Sequence, residues 1–330
     1  MLLVDTTMGI APDLVKVRPP ANEDVPDSPP DTEALLASYY ELRDRIIQER
    51  DAGNLQEAFR LSNMAFSLAS TIGDEALKEQ AYCNRCGFAV VLERSDVSTS
   101  QLREIVMGNR TPTISYAAAY VLSYVYAAEK LYKKALFYAK ISHHRAYASG
   151  DVELMVQSHN ELGRSYLAES YLDKAVEECE AALRLLPGEM SYQHIAPLIN
   201  LGYAKLLLKD YRSGFECLFR SLRHCRHSKS DKAFQELAHL YLCYGFVELR
   251  RWRYAWHHGY RGLQLARRNG HRDVIKNSLY LLGEIEKSVG DFGAAHDHFL
   301  RLQQEFYPDN KDLPMIMLHC DTKELVNLRA

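Results

Sequence analysis

A repeat with a period of about 40 residues constrains the fold of this sequence more than any other feature. Large–small residue pairs such as Leu162-Gly163 return along the chain, each followed by an aromatic residue and then by a small one. The later small residues are spaced by 40, 39, 41 and 40, at Ala135, Ala175, Gly214, Ala255 and Ala295. One such unit is too short to bury its own apolar face, so successive units must stack.

Each unit has the pattern of two amphipathic helices. In ELGRSYLAESYLDKAVEECEAALRLLPG, from Glu161 to Gly188, apolar residues recur three and four positions apart. The small residues let two helix backbones approach closely, and the large residues fill the space between pairs. The sequence has no alternating strand pattern of useful length. The prediction is an all-α solenoid of antiparallel helix pairs, with about seven units.

The second unit departs from the pattern. Ala58 lies 77 residues before Ala135, which leaves room for one unit between them. Its first helix is predicted in ALKEQAYCNRCGFAVVLE, but RSDVSTSQLREIVMGN lacks the small–large order of a second helix. A bend or an exposed loop is therefore expected near Ser95–Pro112. In a later unit, Pro197 is expected in the first turn of its helix, where a missing N–H costs little.

The order of residues resembles the tetratricopeptide repeat. One unit carries the resemblance at Leu162, Gly163, Tyr166, Ala175, Ala182 and Pro187, and the last unit at Leu282, Gly283, Phe292, Ala295, Phe299 and Pro308. The resemblance covers roughly Tyr39 to Asp309, and the period is longer than the family's usual length of about 34 residues. This long-period style is similar to bacterial regulatory repeat proteins. It implies a right-handed superhelix whose first helices line a concave groove.

The ends of the chain differ from the repeats. Residues 1–30 include VRPPANEDVPDSPPD, which is rich in proline and aspartate and predicts a disordered or loosely docked arm. The solenoid is expected over residues 31–310. Residues 311–330 are expected to form a C-terminal capping segment.

Composition and motifs favour a binding protein over an enzyme. No apolar run reaches the roughly 20 residues that cross a bilayer, and the seven cysteines are expected to be reduced, which predicts a cytoplasmic protein. Known catalytic motifs are missing, so we expect no enzyme activity and no cofactor. Metal ligands were considered but not predicted at Cys83/Cys86, His224/Cys225/His227, His257-His258 and His296/His298, since a zinc site needs about four ligands.

The tetratricopeptide resemblance implies a peptide-binding role for side chains of the first helices. The predicted partner-binding residues are Asn84, Tyr120, Tyr124, Asn160, Arg164, Asn200, Tyr203 and Tyr244. Asparagine amides suit the backbone of an extended peptide, tyrosines supply contact area, and Arg164 supplies a cation. The alternative is that the tyrosines pack between units. The predicted partner is a protein or peptide segment.

Charge is distributed unevenly and keeps a second hypothesis open. Residues 212–272 contain thirteen Arg or Lys and four Asp or Glu, a balance of +9, whereas the whole chain has a net charge of −3. Trp252, Tyr254 and Trp256 lie in this basic segment, so a nucleic-acid-binding repeat protein is the alternative function. An acidic protein partner fits the segment equally well, and the acidic arm could also cover it.

Overall fold

The computed structural model describes residues 30–51, 54–92, 97–188, 190–227 and 234–320. These residues form fifteen α-helices and one short 3₁₀ turn, Tyr192–His194, and contain no strand. The helices are α1 (Pro30–Asp51), α2 (Leu55–Ile72), α3 (Glu75–Val91), α4 (Thr99–Met107), α5 (Pro112–Ala128), α6 (Tyr132–Ser149), α7 (Val152–Ala168), α8 (Leu172–Leu185), α9 (Ile195–Leu207), α10 (Tyr211–His227), α11 (Gln235–Glu248), α12 (Trp252–Asn269), α13 (Arg272–Val289), α14 (Phe292–Phe306) and α15 (Leu313–His319).

The all-α repeat prediction is confirmed. In chain order, α1 to α14 make seven helix pairs, and α15 follows the last pair. The chain divides after Ser165 into two compact units, which we call the N-terminal and C-terminal units. The arm over residues 1–29 and the end of the predicted capping segment, residues 321–330, lie outside the described residues.

In the N-terminal unit, small residues bring the helices together. The buried stripe of α6 is Ala135, Ala139, Ser142 and Ala146, spaced by one helical turn each, and it packs on α5. No residue of that stripe is larger than serine, so the two backbones lie close. The core at the start of the unit joins Tyr39 and Ile46 of α1 to residues of α2 and α3.

In the C-terminal unit, glycines mark the same close contacts. A Cβ on Gly202 of α9 would lie 2.7 Å from Leu218 Cγ and 3.0 Å from the carbonyl oxygen of Gly214 on α10. A Cβ on Gly283 of α13 would overlap the ring of Phe299 on α14. The large–small order seen in the sequence is therefore the contact between the two helices of a pair.

Among the described residues, the turn between the two helices also repeats, in five of the seven pairs. Lys130, Ser170, Lys209, Arg250 and Gly290 all have a left-handed backbone, with φ between 52° and 89°. Each turn closes with a hydrogen bond from the next N–H to the carbonyl five residues earlier, such as Asp210 N to Lys205 O at 2.9 Å. This is the Schellman arrangement, which satisfies carbonyls at the end of the first helix. Four of the five positions are not glycine, although glycine adopts this conformation most easily.

The irregular second unit has a short second helix. Over residues 97–112, α4 has nine residues, with Ser98 capping its start and Thr111 capping α5. Arg110 Nε donates to Glu79 Oε1 of α3 at 2.8 Å, which holds the segment before α5 against the preceding helix. The unit departs from the repeat as predicted, by a shortened helix, but the expected exposed loop is not seen over residues 97–112, since Leu102, Ile105 and Val106 of α4 are buried. Pro197 lies in the first turn of α9, also as predicted.

The cysteines are free thiols, and five of the seven are buried. Burial raises the pKa of Cys179 and Cys243, so these groups stay protonated and behave as small apolar side chains. Across the described ranges, no helix is both long and apolar enough to span a bilayer.

Candidate functional site

Three first helices, α5, α11 and α13, are buried on every face along their middle sections, whereas α1 has only scattered buried residues. Every residue is buried from Ile114 to Ala127 in α5, from Glu236 to Gly245 in α11, and from Val274 to Ile285 in α13. The second helices are half-exposed and amphipathic by comparison. Polar side chains on the first helices are therefore held in a mostly dry setting, where each needs a partner.

In the N-terminal unit, three tyrosines form a ladder along α5. The rings of Tyr116, Tyr120 and Tyr124 follow one another at centroid distances of 5.5 and 5.1 Å. The hydroxyls of Tyr120 and Tyr124 are 3.2 Å apart, and the hydroxyl of Tyr116 donates to Gln157 Oε1 of α7 at 3.0 Å. Burial, followed by the neighbouring Tyr124, raises the pKa of Tyr120, so its hydroxyl remains a neutral donor.

A buried ion pair stands at the end of this ladder. Arg164 of α7 packs its guanidinium over the ring of Tyr124, 4.3 Å from the centroid. Its Nη2 lies 2.6 Å from Glu161 Oε1, and both side chains are almost fully buried. The hydroxyl of Ser123 on α5 donates to the same carboxylate oxygen at 2.6 Å. Arg164 was predicted to offer a cation to a ligand, but in this structure Glu161 already neutralises it.

In the C-terminal unit, tyrosines of successive first helices stack on one another. The rings of Tyr203 on α9 and Tyr241 on α11 are 4.0 Å apart and nearly parallel, at 6°. Tyr244 meets Tyr203 edge-on at 5.9 Å. Asn200 lies one turn before Tyr203 on the same helix and is also buried. The structure thus brings Asn200, Tyr203 and Tyr244 together within one unit.

The predicted residues differ in their access to solvent. Tyr120, Tyr124, Arg164, Asn200, Tyr203 and Tyr244 are only 3–6% exposed, whereas Asn84 and Asn160 are partly exposed. Asn84 accepts a hydrogen bond from Gln80 on its own helix at 3.4 Å, and no described contact joins it to the tyrosine ladder. The tyrosines do pack between repeat units, which was the alternative interpretation of their pattern. Whether either cluster also binds a partner stays a prediction.

Sequence reasoning missed Glu161 and Tyr116. Glu161 stands three residues before Arg164, a spacing that favours an ion pair on a helix, and this signal was available in the sequence. Tyr116 belongs to a run with Tyr120 and Tyr124 at four-residue spacing, which places the three rings on one helix face. Glu161 holds the predicted residue Arg164 through the ion pair, and Tyr116 packs against the predicted residue Tyr120.

The basic segment lies mainly on second helices. In its described part, α12 is an 18-residue helix with four arginines and no acidic residue. Tyr254, Trp256 and Tyr260 are exposed on it, together with Phe219 on α10. Residues 228–233 of the segment lie outside the described ranges. No group of three or more His, Cys, Asp or Glu side chains in the described part of the chain could hold a metal ion.

These features define a helical-repeat protein of the tetratricopeptide-like class. No protein-family model matches the sequence, and no curated protein is similar to it in sequence. Among solved structures, a Rap protein complexed with competence and sporulation factor matches with a TM-score of 0.67 at 12% identity, over 87% of this chain and 80% of the other. The apo form of RapI matches with a TM-score of 0.56 at 12% identity, over 86% and 80%. At such identities the similarity shows the fold alone.

Proposed function

We propose that this chain is a non-catalytic interaction protein, a tetratricopeptide-like scaffold or regulator that binds a peptide or protein segment along its first helices. The observation that carries the proposal is the row of tyrosines on these helices, the ladder on α5 and the stack of Tyr203 on Tyr241, with Asn200 one turn before Tyr203. A Rap protein of similar fold is complexed with competence and sporulation factor, which supports a binding role. We assign the chain to the long-period bacterial regulatory type of repeat on the same grounds.

The chemistry of the lining suits an extended peptide. An asparagine amide offers both a donor and an acceptor, so it can pair with a peptide backbone group. Tyrosine rings give contact area with few rotatable bonds and carry a hydroxyl at the tip. Asn160 and Asn200 are the residues expected to hold the ligand backbone, and Tyr124, Tyr203 and Tyr244 those expected to hold its side chains.

Burial of these residues adds a condition to the proposal. Six of the eight predicted residues are only 3–6% exposed, so a ligand must displace contacts such as the stack of Tyr203 on Tyr241. An aromatic contact of this kind contributes about 0.5–1.5 kcal/mol beyond its buried area, and a ligand side chain could replace it. The apparent affinity is then lowered by the fraction of molecules in the open, competent state.

The test begins with peptides selected from a random display library against the full chain. Calorimetry then compares the wild type with Asn160→Ala and Asn200→Ala. We expect each variant to bind about 5- to 100-fold more weakly, because leaving a ligand polar group unpaired costs about 1–3 kcal/mol. Circular dichroism checks that both variants stay folded.

Glu177→Lys is the matched control, since Glu177 is exposed on the second helix α8. Its affinity should stay within about twofold of wild type, as surface charge changes contribute about 0–1 kcal/mol. Equal affinities for all three variants would place the peptide site away from the first helices and would contradict the proposal.

We also propose that the protein works in a reducing, cytoplasmic setting. All seven cysteines are free thiols, whereas proteins of oxidising compartments commonly pair theirs in disulfides.

A further inference from the structure

The outer face of α12 is a basic and aromatic surface that the proposed groove does not use. Arg253, His257, Arg261, Gln264 and Arg268 are all exposed and stand at positions i, i+4, i+8, i+11 and i+15. These spacings put them on one side of a helix, in a stripe about 22 Å long at 1.5 Å per residue. We call this row the arginine stripe.

Within the described ranges, no acidic side chain neutralises the arginine stripe. Arg253, Arg261 and Arg268 have no ion-pair partner among the described residues. Arg267 on the same helix shows the contrast, since its Nη2 lies 2.6 Å from Glu305 Oε1 of α14. Three cations in a row, on a helix without acidic residues, form a local positive field although the whole chain is slightly negative.

An aromatic pair flanks the arginine stripe. The rings of Trp256 and Tyr260 stack at 5.2 Å with an angle of 3°, and they are 41% and 44% exposed. Trp256 Nε1 donates to Glu286 Oε1 of α13 at 2.7 Å, which fixes the indole on the surface. On the other side of the stripe, Tyr254 is 59% exposed. Exposed aromatic side chains in a cluster often mark a binding surface, and here the indole is also held in place by a hydrogen bond.

Neighbouring α10 extends the surface. Arg212, Arg220 and Arg223 are exposed on one face of it together with Glu216, which leaves that face with a balance of +2. The ring of Phe219 on α10 lies 5.9 Å from that of His258 on α12, so the two helices are in contact at this point. A strand of phosphates that crosses the arginine stripe would therefore meet further arginines on α10.

We propose that the outer faces of α10 and α12 bind single-stranded nucleic acid. The phosphates pair with the arginine stripe, and unstacked bases lie against Trp256, Tyr260 and Tyr254. Sequence-tolerant binding of single strands needs these two parts together, a positive track for the backbone and aromatic rings for the bases. An acidic protein surface would also pair with the cations, so competition by an acidic polypeptide is the result that would favour that occupant.

The probe is a fluorescein-labelled single-stranded 20-mer of deoxythymidine, titrated with the full chain and followed by anisotropy. The chain has two tryptophans, Trp252 and Trp256, both on α12. In a Trp252→Phe background, the intrinsic fluorescence reports on Trp256 alone. We expect saturable quenching of that fluorescence with the same Kd as the anisotropy change, because a base stacks on the indole.

The variants separate the two parts of the surface. Arg253→Ala, Arg261→Ala and Arg268→Ala together should weaken binding at least tenfold and reduce the slope of log K against log salt by roughly two, at about 0.7 per phosphate contact. Trp256→Ala should weaken binding about tenfold, whereas Trp256→Phe, which keeps a ring, should lose less than threefold. The Trp256→Phe result keeps the test valid if Trp256→Ala is poorly folded.

The control removes three other positive charges of the C-terminal unit, with the substitutions Lys209→Ala, Arg301→Ala and Lys311→Ala. All three residues are exposed. This control variant should change the Kd by less than twofold. An equal loss in the control and in the arginine-stripe variant would overturn the proposal in favour of unspecific charge attraction. If a 20-residue polyglutamate displaces the labelled probe as well as unlabelled deoxythymidine 20-mer does, the proposal is overturned in favour of an acidic protein partner. If the 20-mer does not bind at 50 mM salt, the proposal is overturned outright.

Discussion

At the scale of single residues, the turn that five of the helix pairs share is the most informative feature. In the last pair, Gly290 has a left-handed backbone. The same conformation is adopted at the equivalent positions by Lys130, Ser170, Lys209 and Arg250. A side chain in this conformation costs about 1–2 kcal/mol because its Cβ approaches the following carbonyl oxygen. The geometry of the turn is therefore set by the packing of the two helices and is maintained against a local preference.

Lys209→Gly should relieve this strain. We expect the free energy of unfolding to rise by about 0.5–1 kcal/mol, since glycine adopts the conformation freely but also gains entropy in the unfolded chain. Urea denaturation provides the measurement. Glu216→Gly, at an exposed position inside α10, is the control and should lose about 1 kcal/mol instead. A loss of stability in Lys209→Gly would show that the turn is not strained.

At the scale of helices, contacts within a pair depend on glycine. Gly283 of α13 faces Phe299 of α14, which is completely buried. Gly202 and Gly214 make the matching close contact between α9 and α10. In each case the missing side chain is what allows a large residue of the partner helix to fit.

Gly283→Ala should destabilise the last helix pair by about 1–3 kcal/mol, because the added methyl group overlaps a ring that has no free space to move into. The midpoint of thermal unfolding, followed by circular dichroism, is the measurement. Gly293 lies on the exposed side of α14, and its Cβ would meet only Asp291 at 3.6 Å. Gly293→Ala should therefore be neutral or stabilising, by up to about 1 kcal/mol. Equal unfolding midpoints for the two variants would contradict the packing argument.

Several of these elements could be predicted from the sequence, and others could not. Gly283 and Phe299 were identified from the repeat, since the residues that make the contact recur at a fixed spacing. The stack of Tyr203 on Tyr241 joins residues of different repeat units, so the pattern placed both tyrosines on first helices but did not show that they contact each other. The neutralisation of Arg164 by Glu161 was overlooked, although both residues are on one helix.

At the scale of the whole molecule, each end of the described chain has its own packing. The core around Tyr39 and Ile46 of α1 is made with α2 and α3. At the other end, Lys287 Nζ of α13 donates to the carbonyl oxygens of Met317 and Cys320 at 2.7 and 3.2 Å, which anchors the end of α15. A solenoid needs such terminal elements because its first and last pairs have a neighbour on one side only.

Removal of residues 1–29 should leave the fold intact. The core of α1 is built from residues 39–89, and the composition of the arm is too polar and proline-rich to bury a core of its own. We expect the midpoint of thermal unfolding to change by less than about 2 °C, measured by circular dichroism. Insoluble protein, or a large drop in the midpoint, would show that the arm is an integral part of the solenoid.

The sequence by itself determined the helical class, the count of about seven pairs and the contacts inside the pairs that follow the repeat. These depend on residues close in sequence and repeated every 40 positions, so one pattern reports on all of them. Only the tertiary structure decided which polar side chains of the first helices are covered and which arginines are left in solvent. Asn200 and Tyr203 are buried, whereas Arg253 and Arg261 are exposed and have no ion-pair partner in the described part of the chain, because the exposure of a side chain depends on atoms far away along the chain.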